Sequence, residues 1–334
     1  MRFGIAPSAQ PIAAGGSWCS ADGTDTLRFV SASSEWVRAL AVMAIRNALT
    51  VDVEDYFQVQ AFAGVVPRSG WDGFSPRVDA NVGRILEQFA RAGVHGTFFT
   101  LGWVAERHPA MVRAIVAAGH ELASHGYGHA LVHTLGEAGF RADIHRARGV
   151  LEDLGGVAVP GYRAPTFSFG ARTPWAYQVL EQEGHRYSSS TFPIRHDLYG
   201  DPDAPRFPYR PAGSTLWELP LTTVRLGCRN LPCAGGGYFR LLPYRLFRAG
   251  LRRLNRGEQR PGIFYFHPWE IDPGQPRIQA GRTARFRHYV NLAAMPGRLD
   301  RLLRDFAWDR VDAVFADLVT PAPAPARPRE PATA

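Results

Sequence analysis

The sequence predicts an α/β fold in which a parallel β-sheet closes as a barrel. Two observations support this fold class. The 334-residue chain is 46% hydrophobic and 20% charged, so it can bury a large core in one main domain. From residue 45 to about residue 318, short apolar runs typical of strands alternate with stretches that have helical spacing. Repeated alternation of this kind favours parallel strands that are joined by helices.

The strand-like runs are short, apolar and separated by turn residues, which is the pattern of buried strands. In order they are NALTVD (47–52), HGTFFTLG (95–102), HELASH (120–125), GYRAP (161–165), RYSSS (186–190), TLWELPLTTV (215–224), GIFYFH (262–267) and VDAVFA (311–316). The predicted helices lie near 77–92, 105–118, 136–153, 174–183, 243–255 and 297–305. Residues 1–42 and the Pro-rich tail over 319–334 lack periodicity, and we expect both to be disordered.

Charge and cysteine content argue against several classes of protein. The formal net charge is +8, but all 38 basic residues are arginines, and they are scattered rather than gathered in a stripe, so we expect no nucleic acid partner. Three cysteines form neither a disulfide framework nor a structural zinc motif. We find no apolar run of about 20 residues that would span a membrane and no convincing signal peptide, so we expect a cytoplasmic location.

Carboxylates and histidines end two of the predicted strands. Asp52, Glu54 and Asp55 end the first, while His125 ends the third and His129 follows four residues later. In an α/β barrel the reacting groups lie at these C-terminal strand ends. Two histidines and one carboxylate suit zinc or another divalent ion. Each element alone also fits a solvated cap or a surface histidine pair, so the pattern does not decide between these readings.

Further candidates lie at other strand ends. Arg163 ends the fourth strand and His267 ends GIFYFH. Trp269 follows two residues later, where it could stack on a sugar ring or pack in the core.

Four motifs, in order, resemble those of the NodB-like polysaccharide deacetylases: TVDVED, GHELASHGYGH, GYRAPTFS and IFYFHPWEID. The exosortase-associated (PEP-CTERM locus) exopolysaccharide deacetylase branch is more similar still, and the likeness runs from about residue 46 to 310. The resemblance implies a distorted (β/α) barrel over residues 43–318, with a branch-specific part over about 200–318. It also implies that residues 1–42 reflect the choice of start codon.

The resemblance implies roles for the first two motifs. His125 and His129 would be metal ligands and Asp52 the general base. The family usually has two adjacent aspartates in the first motif, whereas this chain has D-V-E-D. Glu54 is then the expected third ligand, because alternation along a strand places it on the same face as Asp52. Asp55 remains the alternative.

The later motifs imply the remaining roles. Arg163 would brace the base, His267 would protonate the leaving amine, and the backbone N–H of Thr166 or Phe167 would stabilise the oxyanion. Glu218 falls near a family motif whose aspartate orients the acid histidine.

The implied activity is metal-dependent hydrolysis of N-acetyl groups on an acetylated polysaccharide or oligosaccharide, with zinc or another divalent transition metal. Association with an exopolysaccharide assembly machinery is the implied context. Two alternatives remain open from the sequence. One is a hydrolase of the same fold that acts on O-acetyl esters or another C–N bond, and the other is a non-catalytic carbohydrate-binding component.

Overall fold

A computed structural model describes residues 45–320 of the chain, so the expectations for residues 1–42 and for the tail after Thr320 lie outside the described residues. Eight strands form one sheet in the order β10-β1-β2-β3-β4-β5-β6, and β9 pairs with the other edge of β1. All pairs in this sheet are parallel. The strands are β1 (Arg46–Val53), β2 (Thr97–Thr100), β3 (Glu121–Ser124), β4 (Gly161–Tyr162), β5 (Tyr187–Ser188), β6 (Trp217–Glu218), β9 (Ile263–Phe266) and β10 (Ala307–Asp309).

The sheet curves into an incomplete barrel, which confirms the predicted fold class. Among the described residues β6 and β9 do not pair, so the barrel stays open between them. Strand β1 is the centre of the sheet: it pairs with β2, β9 and β10, and seven of its eight residues are buried. Because the strands are parallel, their carboxyl ends meet at one edge of the sheet.

Helices cover the sheet largely where the sequence predicted them. They are α1 (Val78–Ala92), α2 (Gly102–Arg107), α3 (Pro109–Ala117), α4 (Val132–Gly155), α5 (Ala176–Gln182), α6 (Gly236–Leu241), α7 (Tyr244–Arg252), α8 (Arg282–Tyr289), α9 (Met295–Asp305), α10 (Val311–Val314) and α11 (Ala316–Val319). The single helix expected over 105–118 is two helices, because Pro109 starts a new helix and cannot continue the previous one. No helix in the described part of the chain is long and apolar enough to cross a membrane.

Two strand predictions are wrong. VDAVFA is helical rather than extended, since its apolar residues Val311, Val314 and Phe315 have the i, i+3, i+4 spacing of a helix face. The strand of this region is β10, which precedes it. TLWELPLTTV is not one strand, because its middle residue Pro220 lacks the N–H that a sheet ladder requires. It contributes β6 to the main sheet and then β7 (Thr223–Leu226), which forms an antiparallel hairpin with β8 (Arg229–Pro232).

Candidate active site

Three potential metal ligands converge at the carboxyl edge of the sheet. Ligand atoms of Glu54, His125 and His129 all lie within 4.8 Å of one another, and the three residues are buried. Glu54 follows β1 directly and His125 follows β3. The Nδ1 atom of His125 lies 2.8 Å from the carbonyl oxygen of Arg163. Because a carbonyl only accepts hydrogen bonds, Nδ1 carries the proton and Nε2 is left with its lone pair.

The loop between the two histidines holds His129 in place. Gly126 has a φ of 75°, and a side chain there would collide with Asp143. The Asp143 carboxylate accepts hydrogen bonds from the backbone N–H groups of Tyr127 at 2.9 Å and Gly128 at 3.4 Å. His129 itself has a φ of 55°, a conformation that is uncommon outside glycine. Unfavourable backbone conformations of this kind persist mainly where the surrounding structure enforces them, often at functional sites.

The charges of this cluster fit a divalent cation. Burial would raise the pKa of Glu54, but the nearby His129 and His267 lower it to about 2. Burial lowers the pKa of His125 to about 4. Glu54 is therefore an anion and His125 is neutral near pH 7, as metal ligands must be. The buried Oε2 of Glu54 lies 2.7 Å from Nε2 of His129 without the alignment of a hydrogen bond, which leaves its lone pairs available to an ion.

Asp55, the alternative ligand, binds backbone N–H groups instead of joining the ligand cluster. One carboxylate oxygen of Asp55 accepts hydrogen bonds from the backbone N–H groups of Arg77 at 2.7 Å and Val78 at 3.0 Å. The other oxygen accepts a hydrogen bond from the N–H of Tyr56 at 2.8 Å. Asp55 thus caps the N-terminus of α1 from a distant part of the chain. Its assignment as a metal ligand is corrected in favour of Glu54.

Asp52 and Arg163 form a buried ion pair beside the cluster. Nη1 of Arg163 lies 2.6 Å from Oδ1 of Asp52 and 2.8 Å from the hydroxyl oxygen of Thr50. The same guanidinium donates to the carbonyl oxygen of Ser189 at 3.0 Å. Asp52 is therefore held in one orientation by a charge-assisted hydrogen bond. This geometry is the one that the sequence predicts for a braced general base.

His267 lies across the site, with its Nε2 3.5 Å from Oε1 of Glu54. The Glu270 carboxylate accepts a hydrogen bond from the His267 backbone N–H at 2.9 Å and lies 3.3 Å from its Nδ1. Glu270 is itself paired with the buried Arg240 at 2.9 Å. Burial would lower the pKa of His267, but the Glu54 and Glu270 carboxylates raise it to about 9. The imidazole is thus protonated near pH 7 and can act as a proton donor.

Glu270 occupies the position beside His267 that the sequence assigned to Glu218. That assignment is corrected, because Glu218 is buried beneath the sheet end, where it accepts hydrogen bonds from the N–H groups of Ser190 and Thr191, both at 2.8 Å. Sequence reasoning missed Glu270. The available signal was its place three residues after His267, where its side chain reaches back to the N–H that precedes a short helical turn.

Trp269 lines the cavity but does not offer a ring face to a sugar. Its indole stacks on His267, with centroids 5.1 Å apart, and on His288, with centroids 4.0 Å apart. Its Nε1 donates to Oε1 of Glu54 at 3.3 Å. Of the two roles left open for Trp269, the structure supports packing, and its expected role as a substrate-binding residue is corrected to that of a support for Glu54.

The turn after Arg163 contains the two candidate oxyanion donors, and their N–H groups differ in whether they can reach a substrate. The N–H of Phe167 donates to the carbonyl oxygen of Ala164 at 3.0 Å and is not available to a substrate. Within residues 45–320 the N–H of Thr166 makes no backbone hydrogen bond, and Thr166 lines the cavity. Thr166 and Phe167 have φ angles of 54° and 47°, so the turn is held in an uncommon conformation. Thr166 is the donor that the geometry favours.

Several of these groups line one cavity of about 390 Å³. Asp52, the three potential ligands, Thr166 and His267 are among its lining residues. Most of its remaining wall comes from residues after 189, including Leu198, Tyr238 and Phe286. The cavity is large enough for one or two sugar rings and falls within the usual range of about 300–1,000 Å³ for small-molecule sites.

Comparison with known proteins agrees with this geometry. Residues 71–188 match the family model described as polysaccharide deacetylase, and residues 189–316 match a domain of unknown function, DUF3473. Over 82 residues the chain is 33% identical to the peptidoglycan-N-acetylglucosamine deacetylase of Bacillus cereus, a match that covers 25% of this chain and 30% of that protein. Over 112 residues it is 28% identical to the peptidoglycan deacetylase of Helicobacter pylori, covering 34% of this chain and 37% of that one.

The chain thus spans about a third of the length of the curated relatives it matches. Among solved structures, that of a candidate polysaccharide deacetylase from Mycobacterium smegmatis aligns over 86% of this chain and 96% of that chain. The TM-score is 0.51 and the identity is 21%, which shows a shared fold. Residues 71–188 are therefore similar to polysaccharide deacetylases, and the segment that follows is similar to a domain of unknown function.

Proposed function

We propose that the protein is a divalent-cation-dependent hydrolase that removes N-acetyl groups from an exopolysaccharide or its oligosaccharide precursor. The observation that carries this proposal is the convergence of a braced carboxylate, a ligand cluster and a histidine paired with Glu270 on one cavity. Glu54, His125 and His129 would hold the cation, and zinc suits two imidazoles and one carboxylate. When bound, the cation would supply Lewis-acid polarisation of the acetyl carbonyl.

The residues of the chain account for the proton transfers. Asp52, held by Arg163, accepts a proton from the attacking water as the water oxygen bonds to the amide carbon. The N–H of Thr166 donates a hydrogen bond to the carbonyl oxygen as that oxygen gains negative charge. Protonated His267, held by Glu270, gives its proton to the nitrogen while the C–N bond breaks. The products are acetate and a free amine on the sugar.

Acetate release tests the proposal directly. Purified protein is incubated with N-acetylglucosamine tetramer, with and without chelator, and then with zinc restored. We expect release that chelator abolishes and zinc restores. Asp52→Asn should keep the bound metal and lose at least about 100-fold in turnover, because an amide cannot accept the proton. Wild-type turnover in this variant would contradict the assigned mechanism.

The same assay separates the alternatives. Faster release from an O-acetylated xylan oligomer than from the N-acetylated tetramer would favour the esterase, and binding without release would favour a non-catalytic component. We also propose that the protein works alongside an exopolysaccharide assembly machinery and that it is located in the cytoplasm. Cell fractionation with an antibody to the chain tests the location.

A further inference from the structure

A second cavity, of about 200 Å³, adjoins the active-site cavity. Phe167, Leu198 and Tyr199 line both cavities and therefore form the boundary between them. The turn that contributes Thr166 to the first cavity continues as residues 167–172 along the second. The two cavities are thus neighbours on either side of Phe167, Leu198 and Tyr199. The volume of the second cavity is smaller than the roughly 300–1,000 Å³ of sites for drug-sized ligands, so it fits one sugar ring.

The two cavities differ in charge. In the first cavity both arginines are neutralised, since Arg240 pairs with Glu270 at 2.9 Å and Arg287 pairs with Asp197 at 2.9 Å. Among the described residues the second cavity is lined by Arg172 and His133 but by no aspartate or glutamate. The second cavity therefore offers a positive group to a ligand, whereas both arginines in the wall of the first cavity are already paired with carboxylates.

Arg172 and His133 are also close enough to influence each other. Burial and the neighbouring Arg172 guanidinium together lower the pKa of His133. Arg172 is exposed at the cavity surface, while His133 is half-buried at the start of α4. An anion between them would be bound by the guanidinium and the imidazole together.

We propose that the second cavity binds the sugar next to the acetylated one and that this neighbour is a uronic acid, whose carboxylate is bound by Arg172 and His133. The inference rests on the proposed function, because it makes the second cavity part of the same substrate site. The preferred substrate would be a chain in which an N-acetylated amino sugar is adjacent to an acidic sugar.

A matched pair of substrates tests the inference. One is a tetrasaccharide that alternates N-acetylglucosamine with glucuronic acid, and the other is the same compound with each carboxyl reduced to an alcohol. Binding to the metal-loaded protein is measured by calorimetry, and KM and kcat for acetate release are measured separately. We expect the acidic compound to bind about tenfold more tightly, which is the effect of one charge-assisted hydrogen bond.

The substitution Arg172→Gln should raise Kd and KM for the acidic compound about tenfold and leave kcat unchanged. It should not change the values for the reduced compound. Arg113→Gln, which removes an equal charge from an exposed site on α3, is the control and should behave as the wild type. Equal binding of the two compounds by the wild type, or equal weakening of both by Arg172→Gln, would overturn the inference. Acetate release from the neutral N-acetylglucosamine tetramer would still support the proposed function in that case.

Discussion

The substitution Asp55→Ala separates a structural carboxylate from a metal-binding one within the same four residues. Asp55 and Glu54 are adjacent and both are buried, but only Glu54 belongs to the ligand cluster. Asp55 instead accepts three backbone hydrogen bonds, one of them from Arg77 just before α1 and one from Val78, the first residue of α1. We therefore expect Asp55→Ala to destabilise the fold and to leave metal binding intact in the folded protein.

The hydrogen bonds of Asp55 determine how much stability the substitution should cost. Loss of a helix cap costs about 1–2 kcal/mol. The N–H of Tyr56 would also lose its acceptor in a buried position, at a cost of about 1–3 kcal/mol. These terms are not fully additive, and burial raises the pKa of Asp55, which offsets part of the gain from its charge. We expect the free energy of unfolding to fall by about 2–4 kcal/mol.

Urea denaturation and metal analysis check this prediction together. The midpoint should fall with an unchanged slope, and the folded variant should bind one metal ion per chain. Asp79→Ala is the matched control, because Asp79 lies exposed in the first turn of the same helix and its loss should cost less than about 1 kcal/mol. Glu54→Gln should show the reverse result, with lost metal and a retained fold. An Asp55→Ala variant with wild-type stability and no bound metal would refute the reasoning.

Three further substitutions test other parts of the structure. Burial raises the pKa of Glu121 from 4.5 to about 7. The stability that its protonated form contributes is therefore complete below pH 4.5 and is lost as the pH rises to about 7. Glu121→Gln should remove this loss of stability, which is measured by urea denaturation at about pH 5 and about pH 8. A side chain at Gly236 would overlap the Glu270 carboxylate, so Gly236→Ala should lower stability by about 1–3 kcal/mol, whereas Gly237→Ala, with open space around its Cβ, should change the melting temperature little. Arg163→Met should lower the free energy of unfolding by about 3–5 kcal/mol, because it leaves a buried carboxylate without its partner; a loss below about 1 kcal/mol would contradict this.

Local patterns in the sequence were enough to find most of the site. Asp52 lies near the end of β1, and His125, Arg163 and His267 each follow a short strand directly; parallel strands carry such residues to one edge. The choice of Glu54 over Asp55 depended on the alternation of side chains along β1, and the structure supports it. In these cases the information is contained within a few neighbouring residues.

The corrections concern contacts between distant segments. The cap formed by Asp55 depends on N–H groups more than twenty positions later in the chain, and no local pattern in TVDVED reveals it. Glu218 resembled an orienting acid by its position, but β6 ends where its carboxylate meets the backbone after β5. The ring of Trp269 is covered by His288, which belongs to α8. Spacing within a motif does not determine which distant partner a side chain meets.

The residues of the candidate site come from both segments that the family models match and from the stretch that precedes them. Asp52 and Glu54 precede the first matched segment, His125 and Arg163 lie within it, and His267 lies in the segment of unknown function. Strand β1 pairs with β2 on one edge and with β9, from the second segment, on the other. Removing the second segment would expose the buried core strand and take away His267 together with Glu270. The segment of unknown function is therefore part of the same sheet as the candidate site, and it also supplies most of the wall of the cavity.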